Sequence, residues 1–137
     1  MKELNNNIKE DYCSFEVSKL LKEKGFENEF CQCYTEDKEF YISPNLLGER
    51  ITGKKRPATI PAPTHALAIE WIRVNFGIWI EVPHINTYGV NRFHIIVWKY
   101  NEEDYHSIYT EDGGYIVFDS PQEATESALK YVLEILI

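Results

Sequence analysis

Phe93-His94-Ile95-Ile96-Val97-Trp98-Lys99-Tyr100 carries the strongest strand signal of the chain. Phe93, Ile95 and Val97 fall on one face of an extended chain, and His94, Ile96, Trp98 and Tyr100 on the other. A strand that is apolar on both faces belongs at the centre of a sheet. Strand signals lie on either side of it. Ile78, Ile80 and Val82 alternate with Trp79 and Glu81. Phe30–Thr35 and Glu39–Ser43 flank Glu36-Asp37-Lys38, which predicts a hairpin. Tyr105–Tyr109 and Tyr115–Phe118 flank Glu111-Asp112-Gly113-Gly114, a second turn.

Three helices punctuate these strands. The last opens on Ser120-Pro121-Gln122-Glu123, with a capping serine, proline at the first helical position and glutamate at N3. Ala124, Ala128, Tyr131, Val132 and Ile135 follow as an inward stripe, widened by Leu129, Leu133 and Leu136. The middle helix follows Pro61-Ala62-Pro63-Thr64, capped by Thr64 and closed by Gly77. Its expected inward face is Leu67, Trp71 and Val74, with Ala68 and Ile72 beside them. The first helix is expected from about Asp11 to Lys24, with Cys13, Val17, Leu20 and Leu21 inward and Gly25 closing it. The order α-β-β-α-β-β-β-β-α predicts an α+β fold, an antiparallel or mixed sheet with three helices packed mainly on one face.

At 137 residues the chain fits a single domain, expected over 11–137 behind a polar tail of residues 1–10 that frays. An apolar content of 44% with 14% aromatics supplies a core and excludes wholesale disorder. The net charge of −8 counts against general DNA or RNA binding, which needs Lys and Arg to displace phosphate counterions, and against anionic membranes. No apolar run approaches the ~20 residues that span a bilayer. The N-terminal residues lack the apolar segment of a signal peptide, and three cysteines make no disulfide scaffold, so cytoplasmic residence is the expectation.

Residues 61–64 leading into Glu70-Trp71-Ile72-Arg73, together with the Ser120–Ala124 helix start, resemble small proteins encoded in phage and prophage genomes of gut bacteria. That family has no established activity. The resemblance covers most of residues 10–137; it implies an origin in a mobile element and transfers no catalytic residue.

Chemistry-bearing motifs are few. Cys31-Gln32-Cys33 puts two thiols on one strand face, half of a zinc site, but no Cys or His stands nearby to complete it, and small buried hydrophobes are the expectation. His65, His84, His94 and His106 form no metalloprotease or nucleophile motif, although His94 and His106 fall in predicted strands that can bring them together. A Cys-His pair using Cys13, Cys31 or Cys33 would have to be assembled in space. Glu102-Glu103-Asp104 and Glu111-Asp112 read as solvated turn acids. No catalytic residue, cofactor or metal is assigned from sequence.

Two surfaces remain. The segment Asn45–Ala62 reads as a long connection carrying Arg50, Lys54, Lys55 and Arg56, a basic arm for phosphate or an acidic protein surface. The aromatic sheet face, with Trp79, His94, Trp98 and Tyr100, reads as an interface. The expectation is a protein-binding domain, with a homodimer as the simplest partner; the alternative is a nucleic-acid accessory protein using the basic arm.

Overall fold

The computed structural model describes residues 3–6, 10–27, 32–41, 59–87, 89–99, 105–107 and 116–137. The chain is a small α+β domain in which groups of strands separate the helices as expected, with β3 and a divided 93–100 stretch added to the expected strands. The helices are α1 (Phe15–Glu23), α2 (His65–Phe76) and α3 (Pro121–Tyr131). The strands are β1 (Gln32–Thr35), β2 (Phe40–Tyr41), β3 (Thr59–Ala62), β4 (Ile78–Glu81), β5 (His84–Thr87), β6 (Val90–Phe93), β7 (Ile96–Lys99) and β8 (Tyr105–Ser107). All described pairings are antiparallel, in sheets ordered β2-β1-β3, β4-β7-β8 and β5-β6. No described helix is long and apolar enough to cross a membrane.

Helix ends follow local chemistry. The Thr64 hydroxyl accepts from the Leu67 N–H at 3.2 Å, and the Ser120 hydroxyl from the Glu123 N–H at 3.2 Å. Gly77 closes α2 in the left-handed region, at φ 65°. The first helix begins later than expected. Ser14 caps it by accepting from the Val17 N–H at 3.2 Å, so Cys13 stands outside the helix.

One core joins the three described helices to β4 and β7. Val17 and Leu21 of α1, Ala68 and Ile72 of α2, and Ala124, Ala128 and Leu129 of α3 bury against Ile78, Ile80, Ile95 and Val97. Three sequence expectations are corrected here. Ala68 and Ile72 are buried on α2 and Trp71 packs against the same core, while Leu67 and Val74 are exposed. Ile135 is exposed because the chain leaves α3 through a π turn, Val132–Leu136, whose wider winding turns it away from the core. The stretch 93–100 is not one continuous strand: β6 ends at Phe93, which pairs with Phe118, and β7 begins at Ile96.

The segment 45–62, read as a connection, contributes β3. Pro61 lies opposite Cys33 there, on a strand at the edge of its sheet among the described residues, the position where strands tolerate a proline. The predicted hairpin forms: Thr35 N–H donates to the Glu39 carbonyl at 2.9 Å, and Lys38 takes a positive φ of 65° in the turn.

Candidate functional site

The chain just before α1 and the chain entering α2 form a short antiparallel clasp. Tyr12 bridges Thr64; Cys13 N–H donates to the Pro63 carbonyl at 2.9 Å and His65 N–H to the Asp11 carbonyl at 2.8 Å. Alternation along extended chain sends residues on either side of the bridged pair to the same face, so Cys13 and His65 leave together. Glu126, six residues beyond the Ser120 cap of α3, meets them there.

The Cys13 thiol sulfur, a His65 ring nitrogen and a Glu126 carboxylate oxygen lie within 4.8 Å of one another. His65 Nε2 and the Ser14 backbone N–H each bond Glu126 Oε1 at 2.8 Å. Burial alone would raise the Glu126 carboxyl. The bonds from His65 and Ser14 and the His65 charge outweigh it and hold the group below its usual 4.5. Side-chain exposure is 12% for His65 and 27% for Glu126, and Cys13 is fully buried. The Tyr34 hydroxyl donates to the Cys13 carbonyl at 2.9 Å; burial, then the charge of Glu126 and the nearby Cys13, push its phenol up.

His65 and Glu126 open on a shallow cleft of about 480 Å³ shared with Asp11, Tyr12, Ser14, Gln122 and Glu123. Gln122 Nε2 donates to Asp11 Oδ2 at 3.0 Å across it. Chemically the cluster does two things. It ties the N-terminal ends of α1 and α2 to α3, and it gathers a thiol, an imidazole and a carboxylate behind an acidic cleft.

The aromatic face lies on the other side of β4 and β7. Trp79 and Trp98 are register partners whose rings stack at 5.4 Å and 8°. Ile78, Ile80 and Val97 of the same strands are buried on the opposite face, with α3 in that same core. Trp79 is 37% exposed, and the Arg73 guanidinium lies 5.2 Å from its ring centre. Arg73 also pairs with Glu70. His94 lies between β6 and β7, with its N–H donating to the Pro83 carbonyl at 3.1 Å. It is Val97, not His94, that faces His106.

Tyr100 and the basic residues Arg50, Lys54, Lys55 and Arg56 lie outside the described residues, as does Cys31. Cys33 is buried in β1, where burial pushes its thiol up, as expected of a small hydrophobe. From sequence, Cys13 is an inward residue of the first helix and one member of a Cys-His pair that would have to be assembled in space, His65 is named only among the histidines, and Glu126 is not singled out. Their one shared signal is position, Cys13 just before a capping serine and His65 just after a capping threonine. No protein family, no curated protein and no solved structure matches this chain.

Proposed function

We propose that this chain is a cytoplasmic protein-binding domain of mobile-element origin that self-associates through the solvent side of β4 and β7. The observation that carries this reading is the stacked Trp79–Trp98 pair on a face turned away from the core. Large, rigid aromatic area beside an arginine is the composition of interface centres. An interface of ordinary size, about 800 Å² per copy, is under a tenth of the 9810 Å² surface.

Sedimentation equilibrium of the full chain and of Trp79→Ala tests it. The wild type should show a monomer–dimer equilibrium that the variant shifts to monomer by at least about tenfold in Kd. Equal self-association of the two folded proteins would contradict the reading.

A further inference from the structure

We propose that Cys13, His65 and Glu126 bind one divalent transition-metal ion of borderline softness, zinc being the first candidate. The donor set is the first ground. A thiolate, an imidazole and a carboxylate suit zinc and its neighbours in the first transition row, whereas calcium and magnesium require oxygen donors throughout. Three protein donors leave a fourth tetrahedral position, as at zinc centres that keep a water.

Spacing is the second ground. Bonds of about 2.0–2.3 Å put the donors of a tetrahedral zinc site about 3.3–3.5 Å apart. The three donor atoms already lie within 4.8 Å of one another, and His65 Nε2 and Glu126 Oε1 stand at 2.8 Å. Metal binding therefore requires His65 and Glu126 to part by about half an ångström while the thiol closes on them.

Accessibility is the third. His65 and Glu126 line the cleft and Cys13 lies behind them, so an ion enters from the Asp11 and Glu123 side and meets the thiol last. Those two acids give the entrance a negative field that favours a cation. The open fourth position then faces the cleft, where water fills it. Binding releases to solvent the Cys13 thiol proton and any proton shared between His65 and Glu126.

The experiment is cobalt(II) titration of the full, reduced, chelator-treated chain, read by absorption. The expected result is saturation at one equivalent, with a thiolate-to-cobalt charge-transfer band in the near ultraviolet and the strong visible bands of a tetrahedral site. Zinc should displace the cobalt. Cys13→Ser should abolish the charge-transfer band, while Cys31→Ser and Cys33→Ser retain it. Glu126→Gln, checked for native circular dichroism, should weaken binding by more than about tenfold, the scale already reached by losing an outer partner of a ligand. It serves as the readout if Cys13→Ser does not fold. A wild type without the charge-transfer band overturns the proposal. So does a band lost in Cys31→Ser or Cys33→Ser, or equal affinity in folded Glu126→Gln.

Discussion

The clasp end and the aromatic face stabilise this molecule by opposite means. At the clasp, polar groups are drawn inward and satisfied: Glu126 Oε1 accepts from both His65 and Ser14, and the backbones of Asp11 and Cys13 lock to those of His65 and Pro63. On the aromatic face, apolar groups are turned outward, and Trp79 and Trp98 shelter each other by stacking. Removing a partner from the first leaves partly buried polar atoms unsatisfied, so folding suffers. Removing a ring from the second exposes little that was not already partly wet, so association suffers instead.

The largest expected effect on folding is at Glu126. Glu126→Ala strands the Ser14 N–H and His65 Nε2, which should cost about 2–3 kcal/mol in urea unfolding. Glu126→Gln keeps an acceptor oxygen and should cost clearly less. An Ala cost as small as the Gln cost would mean that the clasp holds without this carboxylate.

Acid sharpens the same point. The Glu126 carboxyl titrates below its usual 4.5 in the folded chain, so its stabilisation is complete above that value and is lost as pH falls through the lower, folded one. Unfolding free energy measured from pH 6 to pH 3 should therefore fall more steeply for the wild type than for Glu126→Gln. Parallel curves would remove the carboxylate from the account of the clasp.

On the aromatic face, Trp79→Ala should cost about 1 kcal/mol of monomer stability, the size of a lost aromatic pair, when unfolding is followed at dilution. Its main effect should be on self-association. The smallest change is expected at Val74→Ser, an exposed position on α2, within about 0.5 kcal/mol by thermal unfolding. A large loss there would mean that this end of α2 is covered.

What could be read from the sequence was local. Thr64 with Gly77, and Ser120 with Pro121, mark helix ends within a few residues, and both helices begin where those residues place them. The alternation in Ile78–Glu81 identified the buried face of β4 because its period needs no distant information. The face of α2 was not legible: Leu67 and Val74 extend an apolar stripe as well as Ala68 and Ile72 do, and only packing chooses between them. Strand β3 was hidden by Pro61, which is acceptable only because the strand is at an edge.

The two candidate sites differ in the same way. Trp79 and Trp98 declared themselves by size and alternation, and the register then brought them together. Cys13, His65 and Glu126 are ordinary residue types separated by 52 and 61 positions along the chain. They meet only because residues 11–13 pair with 63–65 and α3 packs across them, a long-range event with no local signature.

The most direct test of the binding reading is solution mass by light scattering after size exclusion, at low and high salt. Each copy carries a net charge of −8, so charge repulsion opposes pairing and salt relieves it. An apolar seam at Trp79 and Trp98 predicts a dimer that persists or strengthens at high salt and is lost in Trp79→Ala. A monomer at every concentration and salt, or a dimer that salt dissolves, would contradict it.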